Sequence, residues 1–251
     1  MANTALGDAK RAKDDEFYTQ YADIEKEMNA YLEFNPDVFR GKTILLPCDD
    51  PEWSNFTKYF AQNFETFGLK KLISTSYAPD SKPKTIPYQP TLFEFNSPDF
   101  DELKTQENGK IFTLEQDNTG NGIRNYEDLD WSYLEGDGDF RSDEIRKLRD
   151  EADIIVTNPP FSLFREFLNW LVEGDKDFVV LGNINAITYK EVFPLIMNDK
   201  MWLGSSIHSG DREFRIPREG VTRSPSLRVD ENGERYLRIP GIRWFTTLDH
   251  G

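Results

Sequence analysis

Asp153-Ile154-Ile155-Val156-Thr157-Asn158-Pro159-Pro160-Phe161 is the stretch from which the fold can be read. An acidic residue precedes a short apolar, β-branched run, the pattern of a strand buried on both faces of a parallel sheet. Pro159 and Pro160 can neither donate to a ladder nor extend it, so the strand has to end there. Leu163, Phe164, Phe167, Leu168 and Leu171 then recur at helical spacing. Strand, stiff turn and helix hold an Asn, two prolines and an aromatic ring at a strand's carboxyl end, where open α/β sheets form their ligand crevice.

Outward from this turn the same rhythm repeats. Upstream, Lys42 to Leu46 reads as a first buried strand that runs into the acidic, proline-bounded loop Pro47-Cys48-Asp49-Asp50-Pro51. Ser54-Asn55 opens a helix with Phe56, Tyr59, Phe60 and Phe64 on its apolar face and Gly68 as its stop. Lys71 to Tyr77 is a second strand and Phe178 to Asn183 another, and a charged helix from about Ser142 to Ala152 precedes the central strand. Met201 to Gly204, Arg235 to Ile239 and Ile242 to Thr246 read as later strands, with an antiparallel edge expected among them. The expected fold is α/β and Rossmann-like: one domain over residues 1–251, a mostly parallel sheet with helices on both faces. A helix over 17–34 carries Phe17, Tyr18, Tyr21, Ile24, Met28, Tyr31 and Leu32 at helical spacing. Residues 79–129, rich in Pro, Asn, Asp and Gly, read as an insertion with a small hairpin from Thr91–Phe95 and Lys110–Leu114.

Composition narrows the function. A single cysteine, Cys48, excludes an internal disulfide, and with His208 and His250 as the only histidines no His/Cys metal site is expected. No apolar run spans a bilayer and no signal segment follows Met1, so a soluble cytoplasmic protein with no membrane association is expected. The formal net charge is −15, so any nucleic-acid footprint has to be local and strongly salt-dependent. The most basic stretch, His208 to Arg228, holds Arg212, Arg215, Arg218, Arg223 and Arg228 among Gly, Ser and Pro. Within a possible nucleic-acid-contacting region at 205–240, these arginines are suited to phosphates or base edges, and equally to ordinary pairing with Asp211, Glu213 and Glu219.

The central turn offers specific chemistry. The Asn158 side-chain oxygen and the Pro159 carbonyl are both acceptors, and a planar amine that donates to both has its nitrogen lone pair directed elsewhere. The Phe161 ring offers a face on which a base can stack, at about 1–3 kcal/mol. Asn158-Pro159-Pro160-Phe161 resembles the catalytic motif of S-adenosylmethionine-dependent amino-methyltransferases, above all those acting on adenine N6 in DNA. Pro47-Cys48-Asp49-Asp50-Pro51-Glu52-Trp53-Ser54-Asn55-Phe56 resembles the cofactor loop of the EcoRI-type adenine methyltransferases, which lacks the glycine-rich phosphate signature. A cofactor with a sulfonium, an amine and a ribose but no phosphate needs acidic acceptors more than a glycine cradle.

The resemblance implies further cofactor contacts. Asp15-Glu16-Phe17-Tyr18-Thr19-Gln20 resembles the family's amino-terminal cofactor motif, in which a Phe-Tyr-Thr segment lines the methionine end of the cofactor, with Tyr18 and Gln20 as the positions carried over. Gly136-Asp137-Gly138-Asp139-Phe140 is similar to a motif in which an Asp accepts from the cofactor's adenine and the Phe packs on its ring. Asp137 and Asp139 cannot be ranked from sequence, nor can Asp49 and Asp50. Tyr77 is placed to meet the cofactor's adenine. Arg243-Trp244-Phe245 resembles the family's last core motif, which lines the target-base pocket, although Trp244 and Phe245 suit the core equally well. Asn183, at a Gly-Asn turn on the crevice side, is expected to shape that pocket. The implied activity is methylation of a flipped adenine in duplex DNA, with S-adenosyl-L-methionine as cofactor and a restriction-modification or phage-host context. RNA-base or protein-glutamine methylation by the same motif remains an alternative, as does a silent acidic S-adenosylmethionine-binding or DNA-mimicking protein.

Overall fold

The structure, a computed structural model, describes residues 18–49, 54–78, 100–216 and 226–251. Its elements in chain order are α1 (Tyr21–Phe34), β1 (Thr43–Leu46), α2 (Asn55–Gln62), α3 (Phe64–Phe67), β2 (Lys71–Thr75), α4 (Glu102–Glu107), β3 (Lys110–Leu114), β4 (Asp130–Tyr133) and α5 (Asp143–Glu151). They continue with β5 (Ile154–Thr157), α6 (Phe164–Glu173), β6 (Asp177–Asn183), α7 (Phe193–Met197), β7 (Trp202–Leu203), β8 (Asp211–Ile216), β9 (Leu227–Val229), β10 (Arg235–Pro240) and β11 (Ile242–Thr246). The expected strands Lys42–Leu46, Lys71–Tyr77 and Phe178–Asn183 are present as β1, β2 and β6. The Thr91–Phe95 piece, with Asp50, Arg218 and Arg223, lies outside the described residues.

An eight-stranded sheet, ordered β4-β3-β2-β1-β5-β6-β11-β7, forms the frame. β2, β1, β5 and β6 are mutually parallel, with Ile44 opposite Ile154 and Leu45 opposite Ile155. β1 and β5 consist wholly of buried residues, as double-faced burial requires. One buried layer unites Ile24, Met28 and Tyr31 of α1, the aromatic face of α2 and α3, and Trp244. The opposite layer unites Phe140, Phe164, Phe167, Trp170, Phe178 and Phe245. Asp153, just ahead of β5, accepts from the Thr43 amide at 2.7 Å and so aligns the starts of the two central strands.

Several boundaries differ from the sequence expectation. α1 begins at Tyr21, since Tyr18 is extended and bridges Arg215. The helix expected from Ser54 to Gly68 is two helices, the second closed by Gly68 at φ 64, where a side chain would be strained. Lys110–Leu114 does not form a separate insertion hairpin: as β3 it extends the main sheet antiparallel to β2, and β4 pairs with it. The expected antiparallel edge is present, with β11 running antiparallel to β6 and to the edge strand β7. Arg235–Ile239, as β10, leaves the main sheet for a second one ordered β8-β10-β9. Within the arginine-rich stretch β8 is a strand rather than a loop, because Phe214 and Ile216 alternate inward while charged residues face out.

A buried carboxylate fixes α1 to the sheet. Glu27 accepts from the Tyr31 hydroxyl at 2.5 Å and from the Ser205 and Ser206 amides at 3.1 and 2.7 Å, just past β7. Burial and the neighbouring Glu27 charge push the Tyr31 hydroxyl pKa far above its ordinary value. The helix that leads out of the Tyr18–Gln20 segment is thereby held in one position.

Candidate active site

Parallel strands reverse their order of succession between β1 and β5, and the two loops that leave their carboxyl ends meet there. Thr157, the last residue of β5, donates its hydroxyl to the Pro47 carbonyl at the end of β1. This bond joins the Asn158 turn to the Cys48–Asp49 loop. Its sequence signal was a lone polar residue ending an apolar strand, a cue the sequence reading passed over. Asn158 is half-buried with its side-chain oxygen shielded from solvent. Pro159 is buried, Pro160 sits at φ −54 and ψ 121, and Phe161–Leu163 forms a single 3-10 turn closed by the Leu163 amide on the Pro160 carbonyl at 2.9 Å. α6 starts immediately after it.

Phe161 is half-buried and meets Phe214 of β8 edge to face, with ring centroids 6.3 Å apart. β8 in turn pairs with Tyr18: the two residues Tyr18 and Arg215 exchange both backbone hydrogen bonds, at 2.8 and 3.0 Å. Thr19 then gives its carbonyl to the Asn55 side chain at 2.7 Å, at the start of α2. The Tyr18–Gln20 segment therefore ties the strand behind Phe161 to the loop after β1. Thr19 Oγ1 is buried and has no hydrogen-bond partner among the described residues. Phe214 escaped the sequence reading because the surrounding arginines masked its alternation with Ile216.

Asp49 is 8% exposed. Ser54 donates its hydroxyl to it and Thr57 does so at 3.4 Å, while Thr57 also shares a 2.8 Å bond with Ser74 of β2. Ser54 caps α2 by accepting from the Phe56 and Thr57 amides. Phe56 itself is core, edge-on to Trp244. Cys48 holds a left-handed φ of 62, a strained value for a residue with a side chain. Its thiol donates to the Tyr77 hydroxyl at 3.6 Å. Burial, with Asp139 and Asp49 nearby, pushes the Cys48 thiol pKa up to about 12 despite that bond. Burial and the Cys48 and Asp139 charges likewise raise the Tyr77 hydroxyl well above its ordinary value.

The 136–139 loop crosses the end of β2. The Asp137 carbonyl accepts from the Ala78 amide at 2.8 Å, and its side chain accepts from the Asp139 amide at 3.1 Å. Gly138 sits at φ +84, and a Cβ there would lie 2.1 Å from the Ser76 carbonyl, so only glycine fits this crossing. Both Asp139 oxygens accept from Arg141, at 2.9 and 2.6 Å, and Arg141 also reaches Glu166 of α6 at 3.1 Å. Burial works against the charged Asp139, but the bonds and charge of Arg141 outweigh it and hold the carboxyl below its ordinary pKa. Gly136 and Glu135 hang by their amides from Glu144 of α5.

Other expected residues lie elsewhere. Phe140 is fully buried, with its ring edge-on to Phe167 and Trp170 in the second core layer. Trp244 and Phe245 are fully buried on opposite faces of β11: adjacent strand residues point to opposite sides, one to each core layer. Asn183 caps the following 3-10 turn by accepting from the Asn185 amide and donates to the Pro240 carbonyl, which engages its side chain structurally. Arg212 faces Asp23 at 4.0 Å, Arg215 faces Glu234 at 3.9 Å, and Arg228 faces Glu213 at 2.9 Å. Among the described residues no cluster of three or more His, Cys, Asp or Glu is arranged for a metal, and no helix is long and apolar enough to cross a membrane.

The described geometry brings Asn158–Phe161, Cys48–Asp49, Tyr18–Gln20, Tyr77 and the 137–139 loop around the β1–β5 boundary. The profile of a family described as adenine-specific methyltransferase EcoRI matches residues 5–251. The chain is 41% identical over 247 residues to the type II methyltransferase M.EcoRI of Escherichia coli, covering 98% of this chain and 69% of that protein. It is 33% identical to the type II methyltransferase M.MpnI of Mycoplasma pneumoniae and 31% identical to M.MgeORF184P of Mycoplasma genitalium, covering 96% of this chain and 63% of each. No solved structure matches. The chain belongs to the EcoRI-type family of adenine-specific methyltransferases.

Proposed function

We propose that this chain methylates the N6 amine of an adenine flipped out of duplex DNA, using S-adenosylmethionine as the methyl donor. The observation that carries the reading is the Thr157–Pro47 bond, which fixes the Asn-Pro-Pro-Phe turn against the loop after β1. In this reading the acceptors for the amine and the loop that holds the donor molecule are tied together at one strand boundary.

The residues present suit the cofactor. Thr19 Oγ1 is a buried hydroxyl in need of a partner, and leaving such a group unmade costs about 1–3 kcal/mol. The 137–139 loop packs backbone against backbone on β2, as a close-fitting cradle requires. The acidic character of Asp49 and Asp137 matches an amine, a ribose and a sulfonium, and no glycine-rich phosphate loop competes with it. Asp137 is the better candidate of its pair, since both Asp139 oxygens are engaged by Arg141. S-adenosylmethionine supplies an electrophilic methyl group bonded to sulfur.

The chain's own residues do the rest. Asn158 Oδ1 and the Pro159 carbonyl accept the two N6 hydrogens, turning the nitrogen lone pair out of the ring plane. Phe161, its plane set by Phe214, supports the base. The stiffness of two prolines and the Thr157 bond make the acceptors preorganised, so proximity and orientation lower the barrier without a covalent intermediate. Paying for the flip costs a few kcal/mol of unstacking, repaid in part on Phe161. Asn158→Ala tests the assignment: turnover should fall by at least about 10²-fold while donor binding and thermal unfolding stay near wild type. Full activity in that variant would refute it.

A further inference from the structure

We infer that Arg165, held over the ring of Tyr189, is a contact for a DNA backbone phosphate at the rim of the active site. This rests on the proposed action on duplex DNA. Its guanidinium carbon sits 3.8 Å from the Tyr189 centroid. Arg165 is in the first turn of α6, four residues past Phe161, and Tyr189 closes the 3-10 turn that follows β6. β5 and β6 are adjacent and parallel, so both loops open at the sheet edge where Asn158 lies. The pair therefore spans the two loops beside the reacting base.

The electrostatics distinguish Arg165 from other arginines of the chain. Arg141, Arg212, Arg215, Arg228 and Arg238 each face a carboxylate. Arg165 is exposed and makes no ion pair among the described residues. Of the acids next to the pair in sequence, Glu166 is engaged by Arg141, and Glu191 lies 3.7 Å from Lys190, itself exposed next to Tyr189. In a chain of net charge −15, an unneutralised arginine beside the catalytic turn is the local basic feature that binding to a polyanion requires.

The stack supplies the geometry. Tyr189 is half-buried and packs against the second core layer, so its ring is a fixed platform. A guanidinium carbon centred over a ring face makes its contact through the π-system and leaves its N–H donors available to phosphate oxygens. The platform also removes rotamer freedom before DNA arrives, which a bare surface arginine loses on binding. The first turn of α6 adds a favourable dipole for an anion.

The test measures duplex binding by the full chain against salt concentration, first for the wild type, then for Arg165→Gln, Arg165→Lys and Tyr189→Leu. Each lost phosphate contact lowers the slope of log affinity against log salt by about 0.9. Arg165→Gln should show that drop, bind on the order of fivefold to tenfold more weakly at low salt, and raise the KM for DNA more than it lowers kcat. Arg165→Lys should restore the slope, since the charge is kept, and Tyr189→Leu should weaken binding with the slope intact. A wild-type slope in Arg165→Gln, or wild-type affinity in Tyr189→Leu, would overturn the inference while leaving the methyltransferase reading in place. Absence of salt-dependent duplex binding by the wild type would overturn both.

Discussion

Replacing Gly138 by alanine perturbs the candidate cofactor site through one atom. The new Cβ would lie 2.1 Å from the Ser76 carbonyl oxygen, where ordinary contact begins near 3.4 Å, so one backbone must yield by about 1.3 Å. The left-handed φ of +84 adds about 1–2 kcal/mol of strain. The shift also endangers the 2.8 Å bond from Ala78 to the Asp137 carbonyl, worth about 0.5–1.5 kcal/mol. Together these predict a loss of roughly 2–3 kcal/mol, a fall in Tm on the order of 4–12 °C for a chain of this size, and a folded protein. Because Asp137 and Asp139 ride on the displaced segment, affinity for S-adenosylmethionine should fall by about 10–100-fold, read by calorimetric titration. Gly120→Ala is the control: its φ is +72 but a Cβ meets nothing within 4 Å, so it should cost about 1 kcal/mol of strain and leave donor affinity unchanged. Wild-type donor affinity in Gly138→Ala, or an equal loss in Gly120→Ala, would refute the reasoning.

Three other outcomes follow from individual contacts. Glu27→Ala leaves the Ser205 and Ser206 amides without their buried acceptor and should cost about 3 kcal/mol or more, seen as a Tm drop on the order of 6–12 °C; a change below about 2 °C would contradict the anchoring role. The Cys48 thiol, raised to about 12, should react with an alkylating agent at pH 8.5 on the order of 10²–10³ times more slowly in the fold than in denaturant, followed by mass spectrometry. Since its folded pKa is raised, the stability it contributes is fully present below the ordinary thiol value near 8.5 and is lost as pH climbs toward 12; rapid alkylation of the folded protein would count against that environment. Thr157→Val removes the donor to the Pro47 carbonyl at nearly constant volume and should cost about 1–3 kcal/mol, with kcat falling more than thermal stability alone explains; unchanged kcat would separate this bond from catalysis.

The central layers of the fold were legible because burial on both faces leaves an unmistakable record: Ile154-Ile155-Val156 and Thr43–Leu46 carry no alternation to misread. The prolines after Asn158 marked the strand's end, and Gly68 marked the end of α3 through its backbone. The second sheet was hidden because arginine-rich strands look like loops when their inward residues are as few as Phe214 and Ile216. Burial of Phe140, Trp244 and Phe245 was not readable, since an aromatic that lines a pocket and one that fills a core have the same local sequence. Nor could the 208–228 arginines be sorted, because their partners Asp23, Glu213 and Glu234 are set by tertiary structure. Arg165 drew no notice for the converse reason: its chain neighbour Glu166 suggests a pair, while in space that carboxylate belongs to Arg141.

The most direct measurement is transfer of a labelled methyl group from S-adenosylmethionine to mixed-sequence duplex DNA at low salt, followed by digestion and nucleoside analysis, with Asn158→Ala alongside. The account predicts label in N6-methyladenine from the wild type and none above background from the variant. Label in another base, in RNA or in protein, or an active variant, would contradict it.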